Sequence, residues 1–162
     1  MTSKRILSVT VANKPGVLSR ITGLFSRRNY NINSLNVGET ENPEYSRMTI
    51  VVDADDRTLE QIKSQLDKLV EVIQITELDR TNIVDRDLAL IRVNSSRNQR
   101  SEIIQIVDTF RARIVDLSTD TIMIEATGTP SKIEALIEIL KDFGIIDIVR
   151  TGLVALNRGV VE

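Results

Sequence analysis

Hydrophobic residues recur along the chain in two copies of one pattern. In the first copy, alternating apolar residues from Ile6 to Val11 predict a strand, and apolar residues at helical spacing follow over residues 17–25. The remaining segments are strands near residues 32–37, 48–52 and 72–75 and a helix near residues 59–69. The order strand, helix, strand, strand, helix, strand predicts a ferredoxin-like βαββαβ unit.

The second half of the chain repeats this order. Its predicted strands lie near residues 88–93, 114–117, 122–126 and 145–149, and its helices near residues 103–110 and 133–140. Thr129 and Pro130 form a helix start, and Gly144 is a helix stop. The sequence therefore predicts an α+β protein of two ferredoxin-like βαββαβ domains in tandem, residues 1–79 and 80–162, joined by a short polar linker at residues 79–86.

Composition excludes several classes of function. The chain of 162 residues has no cysteine and no histidine, which removes the common transition-metal ligands, so we expect no metal site. Its 21 basic and 23 acidic residues nearly cancel, and aromatic residues make up only 3%, so we expect no nucleic-acid binding. No apolar run approaches the roughly 20 residues that span a bilayer, and no signal peptide is evident. We therefore expect a cytoplasmic protein with no membrane partner.

The most informative segment is residues 12–32, which reads as a strand end, a tight Pro-Gly turn, a helix and a second strand start. The first amides of a helix lack internal partners and the helix dipole is positive there, so this turn suits a small carboxylate. Pro15 stiffens the turn, and Gly16 lets a ligand approach the backbone because it has no Cβ. The expected donors are the amides of Gly16, Val17 and Leu18.

Side chains near the turn extend this binding hypothesis to a whole amino acid. The amides of Asn13 and Asn31 can each donate and accept, so they can serve an ammonium and a carboxylate. The apolar neighbours favour an aliphatic side chain, and no acid or base in this segment is placed to recognise a charged one. The candidate effector-binding residues are Asn13, Pro15, Gly16, Val17, Leu18, Asn31 and Ile32. From the residues alone, a turn without a ligand and locally hydrogen-bonded asparagines remain the alternative.

Several longer strings carry a family resemblance. They are Arg5-Ile-Leu-Ser-Val, Asn13-Lys-Pro-Gly-Val-Leu-Ser-Arg-Ile-Thr-Gly-Leu-Phe, Asn29-Tyr-Asn-Ile-Asn-Ser-Leu, Ser46-Arg-Met-Thr-Ile-Val-Val and Thr151-Gly-Leu-Val-Ala-Leu-Asn-Arg-Gly. Over essentially the whole chain, these resemble the ACT-domain family and, within it, the small regulatory subunits of acetolactate synthase (acetohydroxyacid synthase). The resemblance implies that residues 1–79 form an ACT domain that makes a homodimer by joining sheets side by side. It also implies that valine, leucine or isoleucine binds at that interface, with Asn13, Gly16, Val17, Leu18 and Asn31 as contacts.

The resemblance further implies a regulatory protein without chemistry of its own. Such a subunit binds the large catalytic subunit of acetolactate synthase, raises its activity and confers feedback inhibition by valine in branched-chain amino-acid biosynthesis. Thiamine diphosphate, Mg²⁺ and FAD are then expected in the catalytic subunit, and no cofactor in this chain. The second half has no Pro-Gly turn after its first strand, where it reads Asn94-Ser-Ser-Arg-Asn-Gln-Arg-Ser. We therefore expect residues 80–162 to contact the partner rather than to bind the effector.

Two other functions remain open from the sequence. A stand-alone ACT-type amino-acid sensor, or a regulator of a different enzyme, would carry a similar first half. Acidic residues leave acid–base catalysis possible, although the chain has no Walker-type phosphate loop and no nucleophile elbow. The identity of the protein partner distinguishes the acetolactate synthase subunit from a sensor or a regulator of a different enzyme. Turnover by the purified chain alone would indicate an enzyme.

Overall fold

The computed structural model of the protein describes residues 1–159, and the chain divides into two compact units. The first unit consists of Met1–Val84 together with residues 153–159, and the second is Asp85–Gly152. From the sequence, the boundary was instead expected at residue 79, with all later residues in the second domain. The expected linker is partly regular structure, because a strand begins at Ile83.

The first unit has the predicted order of elements. They are β1 (Ser3–Ala12), α1 (Val17–Arg27), β2 (Ile32–Glu39), β3 (Tyr45–Ala54), α2 (Asp56–Asp67) and β4 (Val72–Leu78). The four strands form an antiparallel sheet in the order β2-β3-β1-β4. This topology confirms the ferredoxin-like prediction for the first half.

Both helices of the first unit cover one face of its sheet. Alternate residues of β1, such as Leu7 and Val9, are fully buried in a core that includes Ile21 and Phe25 of α1. The predicted helical stripe is confirmed except at Leu18, which is 46% exposed at the start of α1. An apolar side chain is thereby left at the surface beside the Pro-Gly turn.

A side-chain cap fixes the start of α2. Asp55 has extended backbone angles, and its Oδ1 accepts a hydrogen bond from the N–H of Thr58 at 2.7 Å. This hydrogen bond lowers the pKa of Asp55 below its ordinary value, because it favours the charged carboxylate. Asp55 is therefore the N-cap of α2.

The second unit repeats the topology of the first. Its elements are β5 (Ile83–Asn94, which begins in the first unit), α3 (Arg100–Thr109), β6 (Arg113–Leu117), β7 (Thr121–Gly128), α4 (Pro130–Leu140), a short 3₁₀ helix (Lys141–Phe143) and β8 (Ile145–Arg150). The sheet order is β6-β7-β5-β8. Thr129 caps α4, Pro130 follows at its first position, and Gly144 ends the 3₁₀ helix with a φ of 91°. All three features were predicted.

One strand was not anticipated. After Gly152, β9 (Val154–Asn157) pairs with β5, and the N–H of Leu153 donates to Oγ of Ser34 at 2.9 Å. The buried side chains of this region form a cluster on the sheet face opposite α1 and α2, namely Ile6, Val51, Leu78, Ile83, Leu153 and Ala155. The segment that begins at Leu153 therefore completes the first unit.

Candidate functional site

The turn between β1 and α1 has a defined geometry. The N–H of Val17 donates to the carbonyl oxygen of Lys14 at 3.4 Å, with Pro15 and Gly16 at the two central positions. Gly16 has a φ of 85° and a ψ of −10°, which makes this a type II turn. The first central position of such a turn favours proline, and the second favours glycine because its φ is positive. The Pro-Gly pair therefore sets the direction in which α1 leaves the sheet.

The turn leaves a row of unpaired backbone donors. The N–H groups of Gly16, Leu18 and Ser19 donate no hydrogen bond to any acceptor within residues 1–159. No side chain caps α1, and its first turn contains no acidic residue. The N–H of Val17 was expected from the sequence to be a donor, but it is used within the turn. Ser19 was not among the expected donors. These three amides can donate to one carboxylate, whose charge the positive end of the helix dipole also stabilises.

Asn13 lies beside the turn with its side-chain orientation fixed. Its Nδ2 donates to Oε1 of Glu39 at 3.0 Å and to the carbonyl oxygen of Pro43 at 2.9 Å, and its backbone N–H donates to the carbonyl oxygen of Glu44 at 2.8 Å. Glu39 ends β2, and Pro43 lies in the turn between β2 and β3. Sequence reasoning missed both because they lie outside residues 12–32. The topology alone could have indicated Glu39, since β1 and β2 run parallel in this fold and end at the same edge of the sheet.

The apolar residues named from the sequence divide into two groups. Leu18 is 46% exposed and available to a ligand, whereas the Val17 side chain is 5% exposed and belongs to the core. Pro15 is exposed beside Gly16. Ile32 is partly buried and packs against the core of the first unit. Of the apolar residues named from the sequence, Leu18 and Pro15 are therefore the exposed ones that an aliphatic ligand can contact.

Asn31 and Ile32 lie at the other end of the sheet. Ile32 pairs with Val52, which pairs in turn with Arg5 near the start of β1. Asn13 follows the end of β1, eight residues beyond Arg5, and a strand rises about 3.3 Å per residue, so the separation is roughly 26 Å. Within one chain, Asn13 and Asn31 are therefore too far apart to contact the same small ligand.

The structure also bears on metal binding and membrane insertion. Among residues 1–159, no three acidic side chains are grouped so that they could hold a metal ion, and the sequence contains no histidine or cysteine. Within the same residues, no helix has both the length and the apolar character needed to cross a membrane.

Comparisons with known proteins match both halves of the chain. Residues 7–74 match the model of the AHAS small subunit-like ACT domain, and residues 86–159 match the model described as small subunit of acetolactate synthase. The acetolactate synthase small subunit of Mycolicibacterium smegmatis is 52% identical over 98% of this chain and 93% of its own length. That of Bacillus subtilis is 49% identical, with 96% and 91% covered.

A solved structure agrees with these sequence matches. The crystal structure of the acetolactate synthase small subunit from Thermotoga maritima superposes with a TM-score of 0.91 at 45% identity, and the match covers 98% of this chain and 99% of that one. The similarity thus extends over both units and over nearly the full length of each relative. The chain belongs to the family of acetolactate synthase small subunits, and its first half contains the ACT domain of that family.

Proposed function

We propose that this chain is a regulatory subunit that binds a large catalytic subunit of acetolactate synthase, raises its activity and makes it sensitive to feedback inhibition by valine. The observation that supports this most directly is the type II turn, with its three unpaired amides next to Asn13. The relatives described above are small subunits of this enzyme, which supports the choice of partner.

The site favours an amino acid over other small carboxylates. The amides of Gly16, Leu18 and Ser19 receive the carboxylate, and the Oδ1 of Asn13 accepts from the amino group. The exposed side chain of Leu18 contacts an aliphatic side chain. Asn13 therefore serves the amino group through its oxygen only, because both hydrogens of its Nδ2 are directed to Glu39 and Pro43.

The proposed site is completed by a second copy of the chain. β2 is an edge strand whose single neighbour among the described strands is β3. If two β2 strands pair antiparallel about a twofold axis and overlap over their full length, Ile32 of one copy faces Glu39 of the other. Glu39 contacts Asn13, so Asn31 of the second copy comes to the Pro-Gly turn. The homodimer thus reunites the residues that one chain holds roughly 26 Å apart.

Feedback inhibition then follows from linkage. An effector lowers activity only if it binds more tightly to the assembly in its inhibited state than in its active state. A ligand held by two chains fits this requirement, because a change in how the chains pair changes the ligand contacts. Thiamine diphosphate, Mg²⁺ and FAD belong to the catalytic subunit in this proposal, and this chain supplies no reacting group.

We assign contact with the catalytic subunit to the second unit, Asp85–Gly152, which forms most of the C-terminal domain expected from the sequence. The sheet face opposite α3 and α4 carries Leu90 and Val149, which are cross-strand partners and are 37% and 65% exposed. The loop that follows β5 offers no counterpart of the Pro-Gly turn, which supports a role other than effector binding. An apolar pair on an accessible sheet suits a protein contact.

An activity assay tests the proposed function directly. A purified catalytic subunit from the same source is assayed for acetolactate formation with and without the full chain, over a titration of valine. We expect the chain to raise the rate and valine to reduce it only when the chain is present. A catalytic subunit that is neither activated nor made sensitive to valine would contradict the proposal.

Mixed dimers test whether each valine site uses two chains. Asn13→Ala and Asn31→Ala chains should each bind valine poorly, because each variant damages both sites of its own dimer. When the two are mixed and allowed to exchange, half of the dimers contain one of each, and one of their two sites is intact. Titration calorimetry should then recover about a quarter of the wild-type sites. If the mixture binds no better than either variant alone, the two-chain site is wrong.

A further inference from the structure

The side-chain amide of Asn13 is held by two oxygen acceptors. Its Nδ2 has two hydrogens, and Oε1 of Glu39 at 3.0 Å and the carbonyl oxygen of Pro43 at 2.9 Å account for both. Rotating the amide by half a turn would set Oδ1 against a carboxylate and a carbonyl, and two good hydrogen bonds would become two repulsive contacts. The oxygen of Asn13 is therefore fixed on the side away from Glu39 and Pro43.

The acceptors themselves belong to a tightly bonded hairpin. In the turn that joins β2 to β3, the N–H of Thr40 donates to the carbonyl oxygen of Tyr45, and the N–H of Tyr45 donates to that of Asn42, both at 3.0 Å. The Oδ1 of Asn42 accepts from the N–H of Glu44, whose carbonyl oxygen accepts from the backbone N–H of Asn13. The hairpin thus fixes both the main chain and the side chain of Asn13.

We propose that Glu39 is a positioning residue for effector binding, which acts by orienting the amide of Asn13 so that its Oδ1 accepts from the amino group of the amino acid. The inference rests on the proposed function and deepens it. It also adds a residue of the edge strand to the site, so that β2 both pairs with the second copy and orients the ligand-binding asparagine.

Removal of the acceptor should weaken binding, and a neutral acceptor should restore it. By titration calorimetry of the full chain with L-valine, we expect Glu39→Ala to raise the Kd roughly five- to tenfold, the range of one net hydrogen bond. Glu39→Gln retains an oxygen that accepts from Asn13 Nδ2, so its Kd should stay within about twofold of wild type. A Kd for Glu39→Gln as weak as that of Glu39→Ala would overturn the inference, because it would mean that charge rather than orientation matters.

A double-mutant cycle tests whether Glu39 acts through Asn13. If it does, Asn13→Ala with Glu39→Ala should bind valine within about twofold of Asn13→Ala alone, because there is no amide left to orient. Additive losses would overturn the inference. The matched control is Glu41→Ala, an exposed acidic residue of the same turn, which should leave the Kd unchanged.

The outcomes separate this inference from the proposed function. Glu39 and Asn13 are both exposed, so the urea midpoints of all these variants should match that of wild type, and a lower midpoint would assign Glu39 a structural role instead. Valine binding that is unaffected by Glu39→Ala overturns the inference and leaves the proposed function standing. Failure of the unaltered chain to bind valine overturns both.

Discussion

Replacement of Gly16 by aspartate should abolish valine binding in a chain that remains folded. The new carboxylate would lie at the amino end of α1, beside the unpaired N–H groups of Gly16, Leu18 and Ser19. It would repel the carboxylate of the ligand and compete with it for the same donors. We expect the Kd for valine to rise at least about 100-fold, which corresponds to roughly 2.7 kcal/mol.

The matched control for this change is Gly16→Asn. Gly16 has a φ of 85°, so any side chain here is strained, although a Cβ would meet no atom within 4 Å. Asparagine and aspartate are nearly the same size and both tolerate the left-handed region, so the two variants share the backbone cost and differ in charge. Titration calorimetry should give a much weaker Kd for Gly16→Asp than for Gly16→Asn. Equal affinities of the two variants would contradict the placement of the valine carboxylate at the amino end of α1.

The second large effect concerns stability and comes from Arg150 in the second unit. Its Nε and Nη2 donate to Oδ2 of Asp87 at 2.9 and 2.5 Å, and its Nη1 donates to Oε1 of Glu134 at 2.5 Å. Asp87 is only 4% exposed. Partial burial lowers the pKa of Arg150, but the hydrogen bonds to Glu134 and Asp87 outweigh it and leave the pKa above its ordinary value. The guanidinium of Arg150 is thus charged at every pH at which the protein is folded.

Arg150→Met should destabilise the second unit by about 2–3 kcal/mol, because it leaves the carboxylate of Asp87 buried without its cation. Amide hydrogen exchange in β5 and β7 measures this loss locally. Both tyrosines of the chain, Tyr30 and Tyr45, lie in the first unit, so tyrosine fluorescence reports separately on that unit during unfolding.

An exposed ion pair in the same sheet provides the control for the Arg150 variant. Arg92 also donates from β5 to an aspartate of β8, Asp147, at 2.8 Å, but the two side chains are 39% and 58% exposed. Arg92→Met should therefore cost less than about 1 kcal/mol. If the two variants lose the same stability, burial of Asp87 is not the cause of the larger effect.

Most of the fold could be predicted from hydrophobic periodicity, because both halves bury one face of a sheet under two helices. The alternation of Leu7 and Val9 with polar neighbours, and the stripe of Ile21 and Phe25, identify their elements without further information. The strand β9 was missed because its burial depends on a distant partner. Leu153 is buried by residues such as Ile6 and Val51, about 150 and 100 positions earlier, and no local period signals that contact.

The candidate site was predictable only in part. The type II turn follows from Pro15 and Gly16, because the two residues favour its two central positions. The roles of Glu39 and Pro43 depend on which strand ends lie together, which the sequence analysis did not use. The same topology separates Asn31 from Asn13 within a chain, so the contribution of Asn31 is a question about the oligomer rather than the fold.

The return of the chain at Leu153 has a consequence for biosynthesis on the ribosome. The apolar cluster of Ile6, Val51 and Leu78 stays uncovered until Leu153 and Ala155 have emerged, after the entire second unit. The nascent first unit therefore exposes this apolar surface from the completion of residue 84 until residue 153 emerges. The chain segment between the two parts of the first unit becomes effectively shorter once the second unit has folded. A stop codon placed after residue 84 would release a fragment whose apolar cluster is exposed to solvent. Joining residue 84 to residue 153 through a short linker would restore the residues that bury this cluster.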